Sequence, residues 1–363
     1  MALQTPLHDT HVAAGGRMVE FAGFDMPVQY SGVKAEHTAV RTAVGMFDVS
    51  HMGEVFFDGP DAAAALGRLV TNDLENLQPG RAQYNVICNE DGGIVDDTVI
   101  YRLSANRLMV CVNASNRAKD FAWLAERARG DVSVTDQSDD WAQIAVQGPR
   151  WAAVVAPLLE EPSLLDLPAF SLVETTIDGI SAIVATTGYT GEAGVEIFCP
   201  SGAAAGLWAK LTESGADHGL LPCGLGARDS LRLEAKLCLY GNDIDDSTTP
   251  LEAGLGWVVK PAKGEFIGRD ALVLQKERGI PRRLVGFEVT GRGIARHDYP
   301  ILDGETQVGT VTSGTMSPTL GKAIGMGYVP WALRKSGTEL SVDVRGRAVS
   351  AVIVKGAFYK RRD

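Results

Sequence analysis

The segment 186–196, Thr-Thr-Gly-Tyr-Thr-Gly-Glu-Ala-Gly-Val-Glu, combines three glycines with the aromatic ring of Tyr189 and the carboxylate of Glu196. It follows an apolar run at 180–185 that predicts a strand, and it leads into a second strand that carries Glu196 between two apolar residues. Glycine lets a ligand approach the backbone closely, and strand alternation turns Glu196 away from its apolar neighbours. Such a group could bind a flat heterocycle with adjacent N–H donors, such as a pterin or a guanine. A tight hairpin with a solvated glutamate explains the same spacing, and the segment alone leaves both interpretations open.

Two adjacent carboxylates, Asp96 and Asp97, lie inside the apolar run 94–101, although aspartate is disfavoured in strands. Neighbouring side chains of a strand point to opposite faces. If one face packs on a core, one of the two carboxylates is buried there or belongs to a functional site. Alternatively, both are solvated and cap the turn at Gly92 and Gly93.

Arg228 lies near the start of a helix predicted around 225–234, where the helix dipole also favours an anion. It is therefore a candidate anion-binding residue, although surface pairing with Asp229 or Glu234 is equally consistent with the sequence. His51 follows a predicted strand edge, where a single histidine more often has a structural than a catalytic role.

Composition and residue spacing argue against several classes of protein. The net charge of −11 argues against a nucleic-acid partner, since phosphate binding needs a basic face. The five cysteines are widely spaced without a Cys-x-x-Cys pair, which predicts reduced thiols and a cytoplasmic location. His8 and His11 form a close pair without a third ligand, so no metal site is predicted. No signal peptide and no run of membrane-spanning length is recognised, so no membrane association is expected.

The order of predicted elements indicates an α+β protein with mainly antiparallel sheets and flanking helices. Through 51–137 the predicted order is strand, helix, three strands and a second helix, which suggests an antiparallel sheet. Residues 261–363 contain short, regularly spaced β runs, which predict an all-β domain of barrel or jelly-roll type. We therefore expect three domains: 1–50 with 138–260, an inserted domain at 51–137, and 261–363.

Taken together, the motifs resemble those of the glycine cleavage T-protein family along almost the whole chain. The resemblance rests on Thr5-Pro-Leu, Phe47-Asp-Val-Ser-His-Met, Gly92-Gly-Ile-Val-Asp-Asp, Gln147-Gly-Pro, Gly188-Tyr-Thr-Gly-Glu, Gly226-Ala-Arg-Asp-Ser-Leu-Arg-Leu-Glu-Ala, Leu239-Tyr-Gly-Asn-Asp, Thr312-Ser-Gly and Gly325-Met-Gly-Tyr-Val-Pro. It implies a three-domain cloverleaf around a folate channel. It also implies transfer of an aminomethyl carbon from the lipoyl arm of the H-protein to tetrahydrofolate, with release of ammonia and formation of methylenetetrahydrofolate.

The resemblance also implies roles for six residues. The family's essential aspartate matches Asp97, its pterin-binding glutamate matches Glu196, its folate-contacting arginine matches Arg228, and the residues that line its pocket match Tyr84, Tyr189 and Asn113. A carboxylate beside the transferred carbon can orient the attacking amine, accept its proton and stabilise positive charge.

Two other functions share this kind of pocket: a folate-dependent demethylase of the same fold, and a non-catalytic folate-binding protein of iron–sulfur maintenance. The maintenance family carries a Lys-Gly-Cys-Tyr motif, whereas this chain has Glu265 after Lys263 and Gly264. The missing cysteine favours the transferase.

Overall fold

A computed structural model describes residues 2–361 of the chain. The α-helices of this part are α1 His8–Ala13, α2 Val33–Thr42, α3 Ala62–Gly67, α4 Arg117–Arg127, α5 Trp151–Val155, α6 Ala204–Gly215, α7 Leu225–Glu234, α8 Pro250–Ala253 and α9 Arg269–Arg278. Within the described residues, no helix has the length and apolar character needed to cross a membrane.

The strands of the described residues are β1 Arg17–Phe21, β2 Phe24–Gln29, β3 Val44–Asp48, β4 Gly53–Asp58, β5 Arg81–Cys88, β6 Ile94–Ser104, β7 Arg107–Val112, β8 Ser133–Asp136, β9 Trp141–Gln147, β10 Leu172–Ile177, β11 Ile180–Ala185, β12 Gly194–Pro200, β13 Leu220–Pro222, β14 Arg282–Val289, β15 Pro300–Asp303, β16 Thr306–Met316, β17 Ala323–Pro330, β18 Glu339–Asp343 and β19 Ala348–Val354.

The chain forms two compact units that are interleaved in sequence. The first unit contains the residues up to Leu69 together with Asp73–Asn85 and Asp97–Arg228, and the second contains Val70–Asn72, Val86–Asp96 and the residues from Asp229 onward. Strands β5 and β6 each contribute residues to both units. The division into three domains at residues 50, 137 and 260 stays a prediction.

A six-stranded sheet forms the centre of the first unit, with the order β10-β11-β12-β9-β3-β13. Its strands are antiparallel except for β13, which pairs with β3 in parallel. Val195 and Ile197 of β12 point into a core that α6 covers with Leu207 and Leu211. The alternation of β12 therefore turns Glu196 to the other face of the sheet.

A five-stranded sheet, of order β5-β6-β7-β4-β8, packs against that second face. Its Phe56 and Tyr101 share a core cluster with Ile183 and Phe198 of the six-stranded sheet. The rings of Tyr101 and Phe198 meet edge to face with their centroids 5.3 Å apart. Because Phe198 follows Glu196 by two residues, Glu196 faces the space between the two sheets rather than solvent.

The second unit contains a closed barrel of six strands in the order β14-β17-β16-β15-β18-β19. Alternate residues of these strands fill the barrel, among them Phe287, Ile301, Val311 and Ile353. The prediction of an α+β chain with a C-terminal barrel is confirmed.

Asp61 directly precedes α3, at the position where an aspartate commonly caps a helix, but its side chain makes no such bond. Its carboxylate instead accepts a hydrogen bond from the backbone N–H of Asp131 at 2.7 Å. The Asp61 side chain therefore binds a loop from elsewhere in the chain rather than the start of the helix.

Candidate active site

Asp97 lies in the middle of three adjacent strands, where both of its carboxylate oxygens are held by neighbours. The hydroxyl of Tyr84, on β5, donates to Oδ2 at 2.8 Å. The amide of Asn113, directly after β7, donates to Oδ1 at 2.9 Å and to the main-chain oxygen of Asp97 at 3.0 Å. The register of β6 and β7, which pairs Val99 with Cys111, explains why Asn113 lies opposite Asp97. The carboxylate is half-buried, and these bonds orient it.

Asp96 differs from its neighbour, because its exposed fraction is 0%. The alternative that both aspartates are solvated and cap the preceding turn is therefore wrong. Asn89 caps that turn instead, with its side-chain oxygen accepting the N–H groups of Asp91 at 3.1 Å and Gly93 at 2.8 Å. The two faces of β6 thus separate a buried carboxylate from an accessible one.

Glu196 is 8% exposed and accepts three hydrogen bonds from protein side chains. Oε2 accepts from Thr187 at 2.5 Å and from Tyr101 at 3.3 Å, and Oε1 accepts from Gln143 at 3.0 Å. The interpretation as a solvated glutamate in a hairpin is therefore wrong. A carboxylate has about four acceptor positions, so these bonds leave capacity for one further donor, at Oε1.

The loop between β11 and β12 is held by Gln147. Its amide donates to the main-chain oxygens of Thr187 at 3.0 Å and Val195 at 3.3 Å, and its oxygen accepts from Thr190 at 2.9 Å. A Cβ at Gly188 would lie 2.0 Å from Oε1 of Gln147. This glycine is therefore required by the packing of Gln147, independently of any ligand.

Arg228 stacks over Tyr189, with its guanidinium carbon 4.5 Å from the ring centroid. The surface-pairing alternative is wrong, because Asp229 pairs with Arg232 at 2.7 Å and Glu234 accepts from Ser317. Within residues 2–361 the guanidinium of Arg228 has neither a hydrogen-bond nor an ion-pair partner. A half-buried cation with an aromatic neighbour and no protein anion remains available for an anionic or planar ligand.

His51 is 1% exposed and packs edge-on against Phe21 and Phe24, with ring centroids 5.7 Å and 6.5 Å away. Burial and the charge of Arg228 lower the pKa of His51 to about 4, so the imidazole is neutral at neutral pH. Its Nδ1 has no hydrogen-bond partner in the described part of the chain.

Glu54 is also a buried polar group, and unlike His51 it was not recognised from the sequence. It is 1% exposed, and burial raises the pKa of its carboxyl well above the usual range. Its Oε1 also lacks a hydrogen-bond partner among residues 2–361.

The partners of Glu196 were missed as well, although two of them had a sequence signal. Gln143 is a polar residue within the apolar strand β9, and Tyr101 lies four residues after Asp97 on the same face of β6. Strand geometry separates Asp97 from Tyr101 by about 13 Å. Tyr101 therefore links the face that carries Asp97 to the carboxylate of Glu196.

His11 and His8 are both engaged by carboxylates. Nε2 of His11 lies 2.9 Å from Asp48 and its Nδ1 is 2.8 Å from the hydroxyl of Tyr30, while Nε2 of His8 lies 3.0 Å from Asp25. Among the described residues, no group of three or more His, Cys, Asp or Glu side chains is arranged to hold a metal ion.

Family models match most of the chain. Residues 7–263 match the GCVT N-terminal domain, and residues 282–360 match the glycine cleavage T-protein C-terminal barrel domain. The second match coincides with the six-stranded barrel.

Full-length relatives agree with these matches. The chain is 52% identical to an aminomethyltransferase of Rubrobacter xylanophilus over 361 residues, which cover 99% of this chain and 95% of the relative. It is 47% identical to an aminomethyltransferase of Bacillus subtilis over 362 residues, which cover 99% of this chain and 100% of the relative. The crystal structure of the glycine cleavage system aminomethyltransferase T from Bartonella henselae superimposes with a TM-score of 0.93 at 36% identity, covering 100% of this chain and 99% of that one. The chain therefore belongs to the glycine cleavage T-protein family of aminomethyltransferases.

Proposed function

We propose that this chain moves the aminomethyl carbon from the lipoyl arm of an H-protein to tetrahydrofolate, with release of ammonia, and that Asp97 is the catalytic carboxylate. The observation that carries the assignment is the pair of donors, Tyr84 and Asn113, on opposite oxygens of Asp97. These bonds hold the carboxylate in one orientation before a substrate binds.

Tetrahydrofolate supplies the amine that accepts the carbon. Asp97 accepts a hydrogen bond and then the proton from that amine, and its negative charge stabilises the cationic character that develops at the transferred carbon. No protein nucleophile is required for this chemistry. The thiols support that view, because burial raises the pKa of Cys88 and Cys223 well above the usual range.

Glu196 is proposed to hold the pterin ring. Its Oε1 has one acceptor position beyond the bond from Gln143, which suits a single N–H of the ring edge. Bonds from Thr187 and Tyr101 occupy Oε2 and orient the carboxylate. With Oε2 occupied in this way, Glu196 would accept one direct charged bond from the pterin.

Arg228 and Tyr189 are proposed to contact the rest of the folate. The guanidinium lies over the phenol ring and has no anion of its own within residues 2–361, so it can bind a carboxylate or a carbonyl of the ligand. Its position in the first turn of α7 adds the partial positive charge of the helix start.

The decisive experiment supplies the purified chain with tetrahydrofolate and an aminomethyl-lipoyl H-protein and measures ammonia. Ammonia release that needs both components supports the proposal. Folate-dependent demethylation of a methylated amine or sulfonium compound without the H-protein would identify a demethylase instead. Folate binding without turnover of either substrate would leave a non-catalytic folate-binding protein. Against that last outcome, Glu265 lies at the position where the maintenance family has its cysteine, and it pairs with Arg269 at 3.7 Å.

We also propose a cytoplasmic location. The five cysteines are all free thiols, and four of them are buried, which agrees with a reducing compartment.

A further inference from the structure

The second unit contains a cavity of about 430 Å³ whose charged lining residues are all cations: Lys236, Arg283, Arg334 and Lys355. The volume falls within the range of small-molecule sites. The concentration of positive charge runs against the composition of the chain, which has a net charge of −11.

The four cations come from four separate segments of the chain. Lys236 follows α7, Arg283 lies on β14, Arg334 follows the turn of 3-10 helix at Trp331–Leu333, and Lys355 follows β19. Since sequence neighbours do not explain their convergence, the fold itself brings them together.

None of these cations has an acidic ion-pair partner among residues 2–361. Arg283 and Arg334 instead contact main-chain oxygens and an aromatic ring. Arg283 donates to the oxygen of Leu251 at 3.0 Å, and Arg334 donates to the oxygen of Trp331 at 2.6 Å. The guanidinium carbon of Arg334 lies 3.8 Å from the centroid of the Trp331 ring. Both guanidinium groups therefore keep further N–H donors for a ligand.

The positive charges that line the cavity repel one another. Burial, followed by the charge of Arg283, lowers the pKa of Lys236, and burial, followed by the charge of Arg334, lowers the pKa of Arg283. An anion in the cavity would remove this repulsion.

The backbone of Lys236 has an unusual conformation for a residue with a side chain. Its φ is 59°, and it occupies the left-handed position that ends α7. The N–H of Lys236 donates to the oxygen of Leu233 at 2.9 Å, and the N–H of Leu237 donates to the oxygen of Arg232 at 2.9 Å, which is the pattern of a Schellman motif. Glycine is the usual residue at this position, because a side chain strains the left-handed backbone conformation.

The side chain of Lys236 passes close to Gly286 of β14. A Cβ at Gly286 would lie 2.8 Å from Cζ of Phe358 and 3.2 Å from Cε of Lys236, so the absence of a side chain there leaves room for both. Lys236 thus lines the cavity from a backbone position that glycine would occupy with less strain.

We propose that this cavity binds a small molecule with two or more negative charges, held by Lys236, Arg283, Arg334 and Lys355. The apolar residues Leu284 and Ile353, together with the ring of Trp331, also line the cavity and would contact an uncharged part of the ligand. Phosphate and carboxylate groups share the chemistry that these cations recognise. The proposal concerns a site outside the Asp97 region and does not depend on the transferase assignment.

The test is calorimetric titration of pyrophosphate and of citrate into the full chain at low ionic strength. We expect at least one of them to bind at a single site, and the two probes distinguish a phosphate ligand from a polycarboxylate. Lys236→Gly should weaken binding about tenfold, the loss typical of one charge-assisted contact. This variant is expected to fold, because glycine suits the left-handed position. Arg334→Gln, away from that backbone position, should weaken binding to a similar degree.

Lys335→Gln is the matched control. Lys335 is exposed beside Arg334 but does not line the cavity, so its loss changes the net charge equally without removing a contact. Unchanged affinity in the control with weaker binding in the other two variants supports the site. No binding of either probe, or equal weakening in all three variants, overturns the proposal.

Discussion

Tyr84 donates its hydroxyl to Oδ2 of Asp97 across 2.8 Å from the neighbouring strand. The sheet sets this distance, because the two residues lie on adjacent strands and neither belongs to a loop. The catalytic carboxylate that we propose is therefore positioned by main-chain pairing before any substrate binds.

Replacing Asp97 by Asn should lower turnover about a hundredfold or more while changing folate affinity much less. The amide keeps the shape of the side chain but removes the negative charge that accepts a proton and stabilises a cation. Single-turnover ammonia release and calorimetric folate binding measure the two effects separately.

The control for that variant is Asp91→Asn, an exposed carboxylate in the preceding turn. Its turnover should equal that of the wild type. Asp96→Asn is a poorer control, because Asp96 is fully buried and its substitution should reduce stability. Wild-type turnover in a folded Asp97→Asn variant would contradict the catalytic role.

Tyr84→Phe should lower kcat about tenfold with little change in KM for folate. The substitution removes one of the donors that orient Asp97 and leaves the bond from Asn113 in place. Steady-state kinetics with saturating H-protein give both constants. A change confined to KM would assign Tyr84 to ligand binding instead of positioning.

Glu196→Gln should weaken tetrahydrofolate binding roughly ten- to a hundredfold. The figure corresponds to one charged hydrogen bond, about 1.5–3 kcal/mol. Calorimetric titration is the measurement, and thermal unfolding confirms that the buried site is intact. Glu174→Gln, an exposed carboxylate on β10, is the control and should bind as the wild type does. Equal affinity in both variants would show that Glu196 has only a structural role.

Acidification should destabilise the protein through His51. The pKa of this histidine is about 4 in the folded state and near 6.5 in the unfolded state. At pH values between these two, the unfolded state therefore binds more protons than the folded state. The free energy of unfolding should therefore fall as pH drops through this window, by about 2 kcal/mol at pH 5 from this group.

Urea unfolding at pH 7 and pH 5 measures the effect. In His51→Gln the loss of stability between the two pH values should be smaller by about that amount, whereas His218→Gln should behave as the wild type. An unchanged pH dependence in His51→Gln would show that the imidazole is already protonated in the folded protein.

Single substitutions of the cysteines by Ser or Ala should leave turnover within a few-fold in every variant that folds. Burial raises the pKa of Cys199 to about 12, and Cys88, Cys111 and Cys223 are buried too. Only Cys238 is partly exposed, so an aromatic disulfide reagent should modify about one thiol rapidly in the native protein. Rapid loss of activity in step with modification of a buried cysteine would contradict this prediction.

Strands were predictable where apolar alternation ends at clear turn residues. Arg107–Val112, Trp141–Gln147 and Ile180–Ala185 begin and end where the sequence pattern does. Helix ends were less predictable. The apolar sequence of 151–159 resembles a single helix, but α5 ends at Val155 and the chain continues as a 3-10 turn, because Pro157 lacks the N–H that an α-helix would use.

In the candidate site, features set by neighbouring residues could be predicted, whereas features set by residues distant in the chain could not. The opposite environments of Asp96 and Asp97 follow from strand alternation, and the structure shows them. Gln143 and Tyr101 each carry a local sequence signal, but their bonds to Glu196 could not be predicted, because the three residues lie on different strands. Glu54 was missed for a similar reason, since its burial depends on elements distant in the chain.

The interleaving of the two compact units has a consequence for synthesis on the ribosome. The segments Val70–Asn72 and Val86–Asp96 emerge early, yet they belong to a unit whose remaining residues begin at Asp229. Lys263 donates to the main-chain oxygens of Val70 at 2.5 Å and Asn72 at 2.7 Å, so Val70 and Asn72 obtain this partner only after nearly two hundred further residues have been made. At about 5–20 residues per second this wait lasts roughly 10–40 seconds. During that time the ends of β5 and β6 that belong to the second unit lack the rest of that unit. A nascent chain that stalls before Asp229 would expose these strand ends to chaperones or to other nascent chains.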